Sequence, residues 1–313
     1  MTFTLSRRAA ALALCAMAAA PFSQAADLTK ITVGVIPIVD VAPLYLGVKQ
    51  GFFKDEGFDV AIESGAGGAA LVPGVQSGSY DFAFSNYVSI MIAIDKGLPL
   101  KVVTNGVSTT GSTTNDYAAI VVANDSPIKD VAGLSGMRVS SNTLGNIADT
   151  AIRAAVDKAG GQSSTIKFTE LPFPSATAAL DNKQVDAIYQ VEPFLTAARN
   201  SNHRVVSYLY ADMNPKMDIS GYFTIEDVIK NKPAMVKKFQ TAMNKSLLYA
   251  QTHGPEVRAI VATYTKIPKE VLDKIVLPVW RVEVSREAIQ TLGAAAHKYG
   301  AISGPPKLAA LLP

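Results

Sequence analysis

Short runs of β-branched and apolar residues alternate with longer amphipathic segments from Lys30 onward. The short runs predict strands and the longer segments predict helices. Strands that alternate with helices are typical of βαβ units and of a mostly parallel sheet. The pattern predicts strands at 31–36, 58–63, 81–85, 101–105, 117–123, 138–140, 166–171, 186–190, 204–208 and 221–225.

The predicted strands fall into two sets. The polar stretch 108–116 has the composition of a linker and separates the first four strands from the next five. A second crossing is predicted at 212–220, and nearly everything from Asp227 onward is predicted to be helical. We therefore predict an α/β protein of two lobes joined by two crossings. Lobe 1 is assigned residues 26–114 and 213–313, and lobe 2 is assigned residues 115–212.

A weak internal repeat agrees with this division. Residues 75–83 and 180–188 share the order helix end, turn, aspartate and strand, with Asp81 and Asp186 in the same place. Each lobe is therefore predicted to contain the same βαβ unit. Ligands of open α/β sheets bind beyond the carboxyl ends of the strands, so two facing lobes would share one cleft.

The first 25 residues have the pattern of an export signal. Arg7 and Arg8 precede an apolar run at 9–20, and small residues follow where a signal peptidase cleaves. The run is shorter than the roughly 20 residues of a membrane-spanning helix. We predict that residues 1–25 are a cleaved signal peptide, with Sec and twin-arginine export both open. The single cysteine, Cys15, lies within it, so disulfides and thiol chemistry are excluded from the mature chain.

Composition and charge exclude further classes. The chain has 313 residues, of which 49% are hydrophobic and 18% charged, so it is not intrinsically disordered and can form two modest cores. Its net charge is +3, and Arg7 and Arg8 supply two of these charges. A nucleic-acid partner is not expected, because such binders carry a strong basic excess.

The motifs do not indicate an enzyme. Residues 65–70 satisfy a variant of the dinucleotide fingerprint, but the next strand ends in Asn86 rather than in the required acid. A glycine turn that lets a ligand approach a helix N-terminus is the preferred interpretation. His203, His253 and His297 are far apart and lack metal-ligand spacing. Nucleophile-elbow, zincin and phosphate-loop motifs are absent from the sequence, so we predict no catalytic residues, no cofactor and no metal.

Three segments carry a family resemblance. They are 42–60, which contains Gly-Phe-Phe-Lys-Asp-Glu-Gly-Phe-Asp-Val, 125–139, which contains Asp-Val-Ala-Gly-Leu-Ser-Gly-Met-Arg-Val, and 185–194, Val-Asp-Ala-Ile-Tyr-Gln-Val-Glu-Pro-Phe. In this order and spacing they resemble the periplasmic substrate-binding proteins of ABC importers. The closest group is that of nitrate, sulfonate and taurine binders, which also includes thiamine-pyrimidine binders.

The resemblance implies a two-lobed periplasmic-binding-protein fold of the type II kind. It implies a monomer in the periplasm that closes on a small solute and delivers it to a membrane permease with its ATPase. One departure lies at 190–193, where Gln-Val-Glu-Pro stands in place of the Trp-Asp-Pro that sulfonate binders of this group often carry. This departure argues against a simple alkanesulfonate.

Five segments at predicted strand ends line the expected cleft: 36–43, 65–68, 85–87, 140–146 and 190–194. Three of them lead into helices, whose free backbone amides favour a negative group. They contain no lysine or arginine, whereas two carboxylates are present. Solute contacts are expected from Asp40, Gly67, Gly68, Ser85, Asn86, Ser141, Asn142, Thr143, Gln190, Glu192 and Tyr222.

Some of these residues have an ordinary structural alternative. Ser, Thr and Asn in 141–146 suit N-capping of the following helix as well as they suit ligand contact. Tyr45, Tyr87, Tyr189 and Tyr222 could stack on a planar ligand or pack in the core. Residues 109–115 are the predicted hinge.

The sequence therefore predicts a solute receptor for an importer. The expected solute is a small organic anion or zwitterion, such as a sulfonate, a taurine-like compound or an aromatic carboxylate. A thiamine-pyrimidine-type heterocycle is the alternative, since the segments hold neutral donors and tyrosines. An exported enzyme on the same fold and a sensor subunit without transport are the competing classes.

Overall fold

The computed structural model describes residues 27–312, so the predicted signal peptide at 1–25 lies outside the described residues. The described chain contains ten strands, and every predicted strand is present with its ends within three residues. They are β1 (Thr29–Val35), β2 (Phe58–Ser64), β3 (Phe82–Asn86), β4 (Leu100–Ser108), β5 (Ala118–Ala123), β6 (Arg138–Ser141), β7 (Lys167–Glu170), β8 (Ala187–Val191), β9 (His203–Ser207) and β10 (Asp218–Ile225).

Helices fill most of the remaining chain and dominate it after β10, as predicted. Their bounds are α1 (Ala42–Lys49), α2 (Phe52–Asp55), α3 (Gly68–Ser77), α4 (Tyr87–Asp95), α5 (Ile147–Lys158), α6 (Phe173–Asp181), α7 (Phe194–Asn200), α8 (Leu209–Met213), α9 (Glu226–Asn231), α10 (Pro233–Thr252), α11 (Gly254–Tyr264), α12 (Lys269–Leu272), α13 (Arg286–Lys298) and α14 (Leu308–Leu311). Between residues 27 and 312, no helix combines the length and apolar character needed to cross a membrane.

The strands form two five-stranded sheets with the same plan. The first has the order β2-β1-β3-β10-β4 and the second has the order β7-β6-β8-β5-β9. In each sheet four strands run in one direction, and the fifth, β10 or β5, runs in the opposite direction. The sheets are therefore mixed, with a parallel majority.

The crossings explain the two reversed strands. β5 enters the second sheet directly after the chain leaves β4, and β10 enters the first sheet directly after the second crossing. A strand that arrives from the other sheet starts at the boundary and runs away from it. Its neighbours run toward the boundary, so the pairing is antiparallel.

The hydrophobic core packs the sheets against their helices. The central strand β3 is fully buried over Phe82 to Phe84, and Phe82 stacks on Phe239 of α10 with ring centroids 3.8 Å apart. In the second sheet, Leu180 of α6 and Leu195 of α7 pack in a cluster with β5 and β8. Burying one such side chain contributes about 1.5–3 kcal/mol, so these contacts fix the helices on the sheets.

The internal repeat is reproduced in three dimensions. α3 leads into the central strand β3, and α6 leads into the central strand β8. The Asp81 carboxylate accepts a hydrogen bond from the Thr32 backbone N–H at 2.9 Å, and Asp186 accepts one from the Arg138 N–H at 2.8 Å. Each aspartate thus ties its strand to the preceding parallel strand, which sets the register at the same point of both sheets.

The turn of the repeat provides a matched pair of positions. Gly78 has φ +77° and its counterpart Lys183 has φ +55°, the left-handed conformation that costs a non-glycine residue about 1–2 kcal/mol. A Cβ added at Gly78 would meet no atom within 4 Å, so any cost there is backbone strain alone. We expect Gly78→Ala to lower the free energy of unfolding by about 1 kcal/mol in urea titrations. Lys183→Gly should change it by less than half as much, and equal losses in both variants would contradict the assignment.

Candidate solute-binding site between the two sheets

Loops that follow strands of one sheet touch loops that follow strands of the other. The Val39 N–H, after β1, donates to the Glu192 carbonyl at the end of β8 at 3.0 Å. Gly67, after β2, lies so close to Thr143, after β6, that an added Cβ would be 2.4 Å from the threonine Oγ1. The carboxyl ends of the parallel strands therefore face each other across one boundary.

Glu192 is held at this boundary by the protein itself. One carboxylate oxygen accepts hydrogen bonds from the Thr196 hydroxyl at 2.7 Å and the Val276 N–H at 3.2 Å, and the other accepts the Thr196 N–H at 3.0 Å. Burial raises the pKa of Glu192 to about 7. Both oxygens thus have partners within the protein, one of them in the segment after α12, and a solute contact by Glu192 stays a prediction.

The loop between β6 and α5 is organised by its own side chains. The Ser141 hydroxyl donates to the Thr143 carbonyl at 2.8 Å, and the Asn146 side chain accepts the Ala148 N–H at 2.8 Å as the cap of α5. The Asn142 side-chain oxygen accepts a hydrogen bond from the Asn146 amide at 3.0 Å. Asn146 is therefore the N-cap of α5. Asn142 and Thr143 of the same loop lie close to Gly67, after β2.

The end of β3 provides a close contact of a different kind. Gly68, the first residue of α3, lies against Ser85, and a Cβ at Gly68 would come within 2.1 Å of the serine Oγ. Asn86 caps α4 by accepting the Ser89 N–H at 2.8 Å. Glycine at 68 thus lets the start of α3 approach the Ser85 hydroxyl.

Buried polar atoms without a hydrogen-bond partner concentrate at the boundary. Side chains in native proteins nearly always satisfy their buried polar atoms, so a cluster of exceptions needs a specific explanation. Among the described residues eight such atoms occur, and four of them belong to the segments expected at the cleft, while two more are phenols within electrostatic range of Asp40. These six are Asp40 Oδ1, Ser85 Oγ, Ser140 Oγ, Gln190 Oε1, and the hydroxyls of Tyr117 and Tyr222.

Five tyrosines lie within electrostatic range of Asp40. Burial and the negative charge of Asp40 raise the pKa of Tyr117, Tyr222 and Tyr264, and the same charge acts on the hydrogen-bonded pair Tyr189 and Tyr210, whose hydroxyl oxygens are 2.6 Å apart. Tyr117 directly precedes β5, and Tyr189 and Tyr210 lie on β8 and α8. Tyr222 lies on β10 and Tyr264 on α11. Tyrosines from both sheets therefore lie within range of the same carboxyl group.

Sequence reasoning missed Tyr117. It is the residue before β5, directly after the first crossing, and its side chain is fully buried. Position offered a signal, because a residue that opens a strand at a crossing lies at the boundary between the sheets. Tyr45 and Tyr264, which stack at 4.1 Å, and Tyr87, which donates to Asn105 at 2.9 Å, have partners within the protein.

Two mixed sheets linked by two crossings, with strand-end loops that meet around buried polar groups, define the periplasmic-binding-protein fold. The chain belongs to the NMT1/THI5-like family, whose model matches residues 38–256. The family resemblance and the fold expected from the sequence are thereby confirmed. No curated protein sequence matches the chain significantly.

Solved structures share the fold at low sequence identity. The alkanesulfonate-binding protein SsuA from Xanthomonas axonopodis pv. citri, bound to MOPS, is 17% identical with a TM-score of 0.74, and the match covers 92% of this chain and 99% of that one. The periplasmic nitrate-binding protein NrtA from Synechocystis PCC 6803 is 16% identical with a TM-score of 0.73, covering 88% and 83%. The desulfurization enzyme DSZB is 13% identical with a TM-score of 0.64, covering 90% and 95%.

Gly67→Ala tests the approach of the two sheets. Gly67 has extended backbone angles that alanine adopts freely, so the variant should fold normally. Its Cβ would collide with Thr143 Oγ1 at a cost of about 1–3 kcal/mol in the closed arrangement alone. We expect Gly67→Ala to have a larger radius of gyration than the wild type in small-angle X-ray scattering. Adding Thr143→Ala should return the radius to the wild-type value, since the Thr143 Cβ is 3.8 Å from the new atom. If Gly67→Ala alone is as compact as the wild type, the contact between Gly67 and Thr143 does not exist in solution.

The buried carboxyls predict the pH dependence of stability. Burial raises the pKa of Asp40 from 3.8 to about 7, so the folded protein binds this proton more tightly than the unfolded chain. That stabilisation is complete below about pH 4 and is lost as the pH rises to about 7, at about 1.4 kcal/mol per pKa unit. We expect the ligand-free protein to be more stable at pH 5 than at pH 8, with a smaller difference in Asp40→Asn.

Asp157→Asn is the matched control for this measurement. Hydrogen bonds led by Ser163 lower the pKa of Asp157, so its contribution changes only below about pH 4. The control should keep the wild-type difference between pH 5 and pH 8 in urea titrations. An unchanged difference in Asp40→Asn would show that Asp40 is not the buried group responsible.

Proposed function

We propose that the protein is the solute-binding receptor of an ABC import system. It is exported to the periplasm, captures a small organic solute between its two sheets as a monomer, and delivers the solute to a membrane permease and its ATPase. The observation that carries this proposal is the gathering of six unpartnered buried polar atoms where the strand-end loops of both sheets meet. Family membership and the binding proteins among the structural neighbours support it.

The proposed solute is an organic anion or zwitterion, with a sulfonate, a taurine-like compound or an aromatic carboxylate as examples. The helices α3, α4 and α5 begin at the boundary, and their free backbone amides suit a negative head group. The absence of lysine and arginine from the five strand-end segments disfavours a compact inorganic anion such as nitrate. A thiamine-pyrimidine-type heterocycle is the second candidate, favoured by the buried tyrosines around Asp40.

We propose that the solute is bound without being converted. His203, the histidine nearest to a described carboxylate, lies 3.0 Å from Asp181 and makes its other contact with the Ala198 carbonyl, away from the boundary loops. The site groups are hydroxyls, amides and carboxyls without a paired nucleophile and base. DSZB demonstrates that an enzyme can use this fold, so recovery of the solute unchanged is part of the test.

Closure would be a rotation of lobe 1 (26–114 and 213–313) against lobe 2 (115–212) about the two crossings. The crossings lie side by side, since the Thr109 N–H donates to the Met217 carbonyl at 2.9 Å. Asp116 accepts the Thr110 N–H at 3.0 Å and the Tyr117 N–H at 2.8 Å, which fixes the end of the first crossing. We propose residues 109–115 as the hinge.

The test is a thermal-unfolding screen of the mature, refolded protein. The panel contains taurine, alkane- and arylsulfonates, aromatic carboxylates, nitrate and a hydroxymethylpyrimidine. A solute at 100 times its dissociation constant should add about 2.7 kcal/mol and raise the midpoint by several degrees. Mass spectrometry of the solute released from the protein should give the mass of the compound that was added.

Ser85→Ala is the matched site variant for this screen. It removes a hydroxyl that has no partner within the protein, so it should weaken the solute shift without lowering the stability of the free protein. Ser246→Ala removes a buried hydroxyl that donates to the Ala242 carbonyl at 2.7 Å, and should lower stability while leaving the shift intact. A refolded protein that responds to no class of the panel, and that carries no solute when purified, would overturn the proposed function.

A further inference from the structure

We propose that Asp40 makes the site selective for solutes that carry a nitrogen cation, such as an ammonium or amidinium group, and that a solute whose only charge is an oxyanion is disfavoured. The proposal rests on the proposed function, because it concerns the charge of the solute that the receptor captures. In a zwitterion, the nitrogen group would bind Asp40 and the negative group would bind the helix N-termini.

Asp40 lies where the two sheets meet. It belongs to a short 3-10 helix, Val39–Val41, between β1 and α1, and only 3% of its surface is exposed. The preceding residue, Val39, donates its N–H to the carbonyl of Glu192 in the other sheet. Asp40 Oδ1 is buried and has no hydrogen-bond partner.

The other buried acids of the described chain show how unusual this is. Asp218 accepts hydrogen bonds from the Ser108 hydroxyl and from the Ser285 N–H at 2.6 Å. Asp116 and Glu192 each accept bonds from backbone N–H groups and a hydroxyl. The chain therefore supplies donors from other residues to three buried acids, whereas the recorded donor to the Asp40 carboxyl is its own backbone N–H and Oδ1 has no partner.

A countercharge from the protein is also missing. The influences on the Asp40 pKa are its burial and its own backbone N–H, and no lysine, arginine or histidine of the described chain is among them. An ionised carboxylate that is buried without a partner is strongly unfavourable. A cation brought by the solute removes that cost and gains the ion pair.

The surroundings of Asp40 suit a nitrogen cation. The groups that feel its charge are five tyrosines: one directly before β5 and the others on β8, α8, β10 and α11. The hydroxyls of Tyr117 and Tyr222 are unpartnered. Aromatic faces attract ammonium, amidinium and guanidinium groups, most strongly when these are desolvated. The carboxylate and the nearby aromatic side chains therefore suit a desolvated nitrogen cation better than a second negative group.

A protonated Asp40 donating to an oxyanion is the competing arrangement, and it predicts the opposite pH dependence. Cation binding requires the carboxylate, so affinity should rise between pH 6 and pH 8 as Asp40 ionises around pH 7. Oxyanion binding would require the acid, so affinity should fall over the same interval. The five facing tyrosines have raised pKa values and stay neutral there.

Isothermal titration of the mature protein with matched pairs of probes tests the proposal. Taurine and isethionate differ by an amine in place of a hydroxyl, and benzamidine and benzoate differ by an amidinium in place of a carboxylate. We expect the nitrogen member of at least one pair to bind at least tenfold more tightly at pH 8, and more tightly than at pH 6. Asp40→Asn should abolish this preference, and Asp59→Asn, an exposed acid of β2, should keep it.

The outcomes separate the two proposals. A protein that binds a member of the solute panel but prefers oxyanion probes, or whose preference survives Asp40→Asn, overturns the role of Asp40 and leaves the receptor function standing. A protein that binds neither panel nor probes overturns both. Asp40→Asn loses a buried charge and should melt no lower than the wild type at pH 8, which verifies that it is folded.

Discussion

The side-by-side course of the two crossings is the constraint on which the rest of the structure depends. A backbone hydrogen bond from Thr109 to Met217 joins them; β10 starts at the next residue after Met217, and β5 starts where the first crossing ends. Because each of these strands starts at the boundary, the parallel strands beside it must end there. The same constraint places Tyr117 at the boundary, directly before β5, and sets Tyr222 of β10 opposite Phe84 of β3.

Polar groups near the crossings divide into two kinds. Asp116 and Asp218 are saturated with hydrogen bonds and hold the crossings in place. Asp40, Ser85 and Gln190 each retain a buried acceptor or hydroxyl without a partner. A saturated group stabilises the folded chain, whereas an unsaturated one costs free energy until a ligand meets it. The hydrogen-bonded acids are therefore structural, and the unpartnered groups are the candidates for ligand contact.

Sequence patterns were sufficient for the elements and the fold, and insufficient for the site. Alternating strands and helices, the Asp81 and Asp186 repeat and three family segments are local signals, and the structure agrees with each. The partners of Glu192 are not local, because Val276 lies 84 residues away in a segment of unrelated pattern. Tyr117 likewise comes within range of Asp40, of Tyr189 on β8 and of Tyr210 on α8 only when the chain has folded. Residue type showed which side chains could bind, and tertiary contacts decided which were already occupied.

The occupied groups also bear on how closure is driven. The contacts of Glu192 with Val39 and Val276 exist without any solute, so part of the attraction between the lobes is built into the chain. A ligand shifts a conformational balance only through contacts that differ between the two states. Under the proposed function, Glu192 therefore favours the closed form whether or not a solute is bound, and it does not distinguish one solute from another. Under the proposed function, recognition has to come from the groups that the protein leaves unsatisfied, and among these Asp40 alone carries a charge that no described residue of the chain neutralises.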